Sequence, residues 1–320
     1  MKQTILILFS VILALSLPSC KGDTTTIKNL ESNQVDRKTQ ALLLTQRFEF
    51  DVNDKNRMTG SYEQRSKITV PSDLSPQNKW IMFEGPVLEN DLVAYRYYAD
   101  SRHRFDIYGK IVGDLVMDTV SWDYHDLMDW GSDILKVGNS LGLGSPAIHY
   151  QDTIYTLSDY DKKTIEVLSD DNNSSAVRTT FTGLRIGDKK FDLLQDWNIS
   201  AGHPSSEITL SITNGSLPDG MYFATGFVKH LPEVITGETP SAFYALNWGM
   251  QSFHDQDLGM AVMAKKEHGP EIVPDDLSHV MVFKNAKQKV TYKFMSVWEK
   301  DLNKITDIGG FKKIVKETYK

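Results

Sequence analysis

Cysteine is nearly missing from this chain: 320 residues contain one, Cys20. No internal disulfide can form, so stability has to come from a hydrophobic core. The length and the 40% hydrophobic content are sufficient for one. Positive charge is not in excess. Lys and Arg number 35 against 42 Asp and Glu, for a net charge of −7. That argues against a nucleic-acid binder, which presents a basic surface. It leaves room for a small acidic substrate held in a local basic pocket. Eight histidines are present, but none falls in an H-x-x-x-H or H-E-x-x-H pair. Gly138, Gly142 and Gly144 match neither a P-loop nor a dinucleotide fingerprint, and tight turns explain them better. No repeat, low-complexity block or composition break divides residues 41–320, which read as one domain.

The first residues carry export signals in order. Lys2 is followed by an apolar run from Ile5 to Leu17, then by Leu17-Pro18-Ser19-Cys20. The run has signal-peptide length and is too short to span a bilayer, which takes roughly 20 apolar residues. The cleavage site resembles a lipobox, with Pro18 an unusual residue at its position, so Cys20 is the expected lipid attachment site. Residues 1–19 are then a signal peptide and 20–40 a polar tether. An exported lipoprotein follows, attached to the outer membrane on its periplasmic or cell-surface face and touching membrane through lipid alone.

Beyond the tether, short segments rich in Val, Ile, Phe, Tyr and Thr dominate, several alternating with period two. They are 47–52, 79–88, 91–98, 104–112, 191–200, 206–215, 221–230, 241–250, 258–264, 279–285 and 289–298. Asp171-Asn172-Asn173, Asn214-Gly215, Pro218-Asp219-Gly220 and His268-Gly269-Pro270 punctuate them. Two stretches read as helical: 126–137, weakly, and 311–320, with Phe311, Ile314 and Val315 on one face. Many short strands with little helix imply a sandwich or barrel.

Chemistry-bearing residues are densest over 84–150. Tyr95, Tyr97, Tyr98, Tyr108, Trp122, Tyr124 and Trp130 are core residues by default, yet aromatic faces among Arg, Asn and Asp also suit sugar rings. His254-Asp255-Gln256-Asp257 is the one run where carboxylates and an imidazole could share a divalent cation. No cofactor is otherwise expected.

Several motifs resemble a known family. They are Glu89-Asn90-Asp91 through Tyr95-Arg96, the Tyr124-His125 pair, Leu135-Lys136-Val137-Gly138 through Gly142 and Ser145, Thr225-Gly226 through Lys229-His230, Asn247-Trp248-Gly249, and the 292–298 strand. The resemblance covers roughly residues 75–300. It is to exported proteins long labelled a domain of unknown function, found in polysaccharide-degrading gene clusters of Bacteroidetes-type bacteria. One departure stands out: Asp129-Trp130-Gly131-Ser132-Asp133-Ile134-Leu135 replaces a Gly-Glu-Gly-Leu-Asp-type run, leaving any role borrowed for that loop open. The resemblance implies a mostly β, galactose-mutarotase-like β-supersandwich with few short helices. It also implies a hydro-lyase that dehydrates the terminal glucuronic or iduronic acid of ulvan oligosaccharides to a 4,5-unsaturated uronic acid. A polysaccharide lyase and a non-catalytic glycan-binding lipoprotein are the alternatives.

Such a reaction removes the C5 proton and expels the C4 hydroxyl, so a cation or donor must neutralise the neighbouring carboxylate. Arg96 and Lys136 are the candidates, with Asn90, Trp248 and Gln251 as further substrate contacts. His125 is the first candidate for base or acid, with Tyr124, His230 and His254 to complete the pair. Tyr124 and His125 share a pocket only if they lie in a loop, since strand neighbours point to opposite faces. Arg96 could instead serve a structural bridge to Asp91 or Asp106. No metal ligands are assigned, and anionic uronate-containing oligosaccharides are the expected partners.

Overall fold

The structure is a computed structural model that describes residues 37–319. The signal segment, Cys20 and most of the tether lie outside the described residues. Among those described, the only α-helix is Ile308–Glu317, and no helix is long and apolar enough to cross a membrane. The rest is built on antiparallel strands, as the mostly β expectation required.

A nine-stranded sheet runs from Ile235–Glu238 at one edge to Lys67–Thr69 at the other, with Asp257–Lys265, Lys289–Trp298, Ser205–Ile212 and Lys189–Ser200 inside it. The inner strands show why: in Ser205–Ile212, Ser206, Ile208, Leu210 and Ile212 are buried while the residues between them are half-exposed. Two five-stranded sheets face it. The front sheet orders Thr39–Leu42, Val87–Asn90, Val93–Tyr97, Phe105–Lys110 and Gly131–Asp133. The other is centred on Tyr222–Val228 and Ser278–Phe283. Edge-on aromatic pairs fill the space between layers: Tyr95 on Phe294 at 4.9 Å and Phe105 on Trp197 at 5.0 Å. On the far face of the large sheet, Phe311 and Val315 of the helix bury against Tyr244, Met263 and Val297, each contributing roughly 1.5–3 kcal/mol. Asp307 caps this helix by accepting from the Gly310 amide at 2.8 Å.

Several sequence expectations change. Residues 47–52 form no strand, because the Asp51 carboxylate accepts from the Asn53 amide at 2.9 Å and turns the chain into a 3-10 turn over Val52–Asp54. Residues 126–137 form no helix. Met128 and Gly131 exchange backbone hydrogen bonds of 2.9 and 3.1 Å in a tight turn, and Gly131–Asp133 joins the front sheet. Gly131 has φ 137°, and a Cβ there would lie 1.8 Å from the Gly109 carbonyl oxygen, so only glycine fits. The long hairpin Lys162–Asp170 and Ser174–Ile186 escapes the hydrophobic pattern because its outer face is Ser, Thr and charge; Asp171-Asn172-Asn173 is its turn. The first described strand begins at Thr39, two residues before the expected domain boundary.

One charge is buried in the interlayer core. Lys163 is fully buried, donates to the carbonyls of Ala99 at 2.9 Å and Asp100 at 3.3 Å, and lies within 6 Å of the Tyr97, Tyr160 and Phe181 rings. Burial pushes its ammonium down to about 7. The unfolded chain therefore binds this proton more tightly than the folded one, and stability rises as pH increases from about 7 toward the ordinary lysine value. Urea midpoints are expected to rise by the equivalent of roughly 2 kcal/mol between about pH 7 and 9, and Lys163→Met is expected to flatten that rise.

Candidate functional site

The front sheet is buried on both faces. Its inner face carries Tyr95, Tyr97, Phe105 and Ile107 into the core. Its outer face, one residue out of phase, carries Arg96, Tyr98, Asp106 and Tyr108, and segments 80–84 and 114–130 fold over it. Register places Arg96 directly across from Asp106, and Tyr108 across from Asp133.

Arg96 is the hub. It is 1% exposed, and its guanidinium meets Asp106 at 2.9 Å and Asp133 at 2.7 Å. It also donates to the Phe83 carbonyl at 3.1 Å and the Tyr124 hydroxyl at 2.9 Å. The rings of Tyr98, Tyr108 and Tyr124 stand 4.9–5.1 Å from its charge. The structural bridge to Asp106 is therefore real, and Arg96 has no free edge for a substrate carboxylate. That expectation is corrected: a desolvated guanidinium shared by two acids stays where they hold it. One cation between two buried carboxylates leaves an uncompensated negative charge. Burial and the nearby Asp106 accordingly push the Asp133 carboxyl well above the usual range, against the pull of Arg96. Burial likewise raises the Tyr124 phenol.

Tyr124 and His125 lie in a turn, not a strand, so both reach the same network; their rings are 4.6 Å apart. His125 Nδ1 stands 3.4 Å from Asp133 Oδ2, while 54% of its side chain remains open to solvent. Partial burial, then Arg96, lowers its proton affinity, keeping the imidazole in its neutral form. A carboxylate behind one ring nitrogen and open space before the other is the arrangement of an oriented base.

A second loop closes on this point. The Phe253 amide donates to the Ile134 carbonyl at 2.7 Å. This sets the Phe253 ring 6.1 Å from His125, with the Lys136 ammonium 5.0 Å above it. His254 Nε2 is 2.8 Å from the Ser132 hydroxyl, which has the carbonyls of Tyr124, His125 and Asp133 within 3.3 Å. The hydroxyl hydrogen goes to a carbonyl, so His254 donates from Nε2 and presents Nδ1 outward. His230 Nε2 donates to the Lys136 carbonyl at 2.9 Å, at the rim. Four sequence candidates, His125, His254, Lys136 and His230, thus meet here with Tyr124 behind them.

Three do not. Asn90 spends its amide on the Ser200 and His203 carbonyls and its oxygen on the Leu92 and Val93 amides, fixing the turn between two front strands. Trp248 faces the helix, packing on Phe311 at 5.7 Å and donating to Asp257 at 3.2 Å. Gln251 is buried and ties Asn247 to the Leu258 carbonyl, anchoring the loop that carries Phe253 and His254. In the proposed cation run, Asp257 is engaged by Trp248 and Gln256 by Trp298. No group of three metal-ligating side chains converges among the described residues.

Sequence reasoning missed Asp133, Phe253, Lys79 and Glu84. Asp133 sits in the run that departs from the family pattern. Lys79 lies over the Trp122 ring at 3.5 Å and adds its field to His125. Glu84 is ion-paired with Arg102, whose guanidinium covers Tyr98 at 3.8 Å. Phe83 and Glu84 both hold positive φ, 61° and 59°, and Asp255 beside His254 holds 58°. Such strained non-glycine backbone persists only where surroundings enforce it, and it concentrates at functional sites. Here it turns the Phe83 carbonyl onto Arg96. Crevices also lie elsewhere, one of about 280 Å³ beside His203 and Lys293. There the His203 imidazole is held by the Ser205 hydroxyl at 2.8 Å and not by a carboxyl group, so the surface around His125 has the stronger chemistry.

Among solved structures, the chain resembles a protein described as a kojibiose phosphorylase from the human microbiome, with TM-score 0.38 and 10% identity over 72% of this chain and 32% of that one. It spans about a third of that protein's length. It also resembles one described as an aldose 1-epimerase from Klebsiella pneumoniae subsp. pneumoniae, with TM-score 0.36 and 8% identity over 88% of this chain and 94% of that one. No curated protein matches the sequence. Residues 10–320 match the family described as a domain of unknown function, DUF4861, and the chain belongs to that family.

Proposed function

We propose that this protein is an oligosaccharide dehydratase acting on a terminal uronic acid, of the ulvan type, from an exported form anchored at Cys20. The observation that carries the reading is the half-exposed His125 backed by the buried Asp133 carboxyl, with the Lys79 ammonium beside them. Lys79 has no carboxylate within ion-pair distance among the described residues. Lys79, whose field reaches His125, replaces Arg96 as the charge that neutralises the reacting carboxylate and makes the adjacent proton removable. His125 takes the C5 proton through Nε2, with Asp133 bracing Nδ1. The electron pair forms the C4=C5 double bond, the C4–O bond breaks, and the hydroxide leaves as water with a proton delivered by His254.

The test is to incubate the mature protein with oligosaccharides ending in saturated uronate, following ultraviolet absorbance and mass together. Loss of one water from an otherwise intact oligosaccharide, with new absorbance, is the expected result. Two fragments with the same absorbance identify a polysaccharide lyase. Binding with neither change identifies a glycan-binding lipoprotein. Lys79→Met is expected to lower kcat by about 100-fold while circular dichroism stays native, since the side chain is not deeply buried.

A further inference from the structure

We propose that Phe253 and Lys136 form a separate subsite for the sugar ring next to the reacting uronate, and that this subsite recognises an oxyanion on that ring. The inference rests on the dehydratase reading for the position of the reacting ring. Phe253 is 38% exposed in a protein that buries most of its large aromatics, and its backbone is pinned by the Ile134 carbonyl. Its ring lies 31° from the plane of His125 at 6.1 Å. A chain of sugars whose first ring sits at His125 therefore passes Phe253 next. An apolar sugar face stacks on such a ring, and the pinned backbone lowers the entropy cost of binding.

The charge follows from what surrounds the platform. Lys136 is exposed, 5.0 Å from the Phe253 ring, and lacks an ion-pair partner among the described residues. Arg104 joins it by donating to the Gly138 carbonyl at 2.7 Å, two residues along the same turn. His230 holds the turn from the other side through the Lys136 carbonyl. A cluster of unneutralised cations beside one open aromatic ring, in a chain of net charge −7, is complementary to a ring bearing a carboxylate or a sulfate ester. Lys79 lies instead on Trp122, so the two cations serve different rings.

Steady-state kinetics on three substrates decides it: a single uronate glycoside, a uronate joined to a neutral ring, and a uronate joined to a ring carrying carboxylate or sulfate. Lys136→Ala is expected to raise KM about tenfold on the oxyanion-bearing substrate alone, with kcat unchanged and Lys136→Arg restoring most of the loss. Phe253→Ala is expected to raise KM on both two-ring substrates and leave the single ring unaffected. The carboxylate and sulfate arms show which oxyanion is preferred. An equal loss on the single ring for either variant, or an equal loss from Lys136→Ala on neutral and charged second rings, overturns the proposal. Should the wild-type protein dehydrate nothing, the dehydratase reading fails by itself. Calorimetric binding of the same oligosaccharides to the same variants then carries the subsite test, and an oxyanion-independent affinity overturns it.

Discussion

Replacing His125 with alanine is expected to lower turnover of uronate oligosaccharides by ~10²–10⁴ while leaving the fold unchanged, because a positioned general base contributes about that much and this side chain is half in solvent. The urea midpoint should match the wild type, and kcat rather than KM should carry the loss. Asp133→Asn tests the same pair from behind. It removes the carboxyl that braces Nδ1, so kcat falls, and it removes the member of the pair that burial and Asp106 make readier to hold a proton. In the wild type, burial and Arg96 lower the His125 proton affinity, whereas burial and Asp106 raise that of Asp133. Activity is lost as pH falls and the pair gains a proton. In Asp133→Asn that acid limb should move to lower pH. A limb that does not move would remove His125 from the role of base.

Arg96→Met is expected to act on stability before it acts on rate. The substitution leaves Asp106 and Asp133, 1% and 2% exposed, facing one another without their cation. Breaking a buried ion pair from one side costs about 3–5 kcal/mol. Chemical denaturation should therefore show a large fall in midpoint. The variant should recover partly as pH is lowered: both carboxyls then titrate higher in the folded than in the unfolded chain, so protonation stabilises the fold and the gain is lost as pH rises through their folded values. Adding Asp106→Asn should recover part of the loss at neutral pH for the same reason. An Arg96→Met protein as stable as the wild type, but unable to bind substrate, would return Arg96 to the role of a direct carboxylate ligand.

Arg96 also shows why residue type alone misassigned its role. Arg next to Tyr on an alternating strand reads equally well as a ligand-binding residue and as a buried hub. Pairing decides between them, since Asp106 lies directly across the strand and Asp133 one strand further on. Tyr124-His125 went the other way. Strand periodicity puts neighbours on opposite faces, and the turn at 122–125 removes that restriction. Asp133 was hidden because 126–137 reads as a weak helix, whereas Gly131 can approach Gly109 closely only as an edge strand. Phe253 carries no motif; its importance comes from the hydrogen bond its backbone amide donates to the Ile134 carbonyl, over 100 residues away in sequence.

By itself the sequence determined the mostly β class, the presence of a terminal helix and the histidines worth considering, because hydrophobic periodicity acts between near neighbours. Only the tertiary structure decided which of the charges are neutralised. Arg96 was withdrawn into a buried network, and Lys79 and Lys136 were left with no carboxylate within ion-pair distance among the described residues. Whether a cation is free for a ligand depends on which carboxylates the strand register brings within reach and how much water is excluded around them.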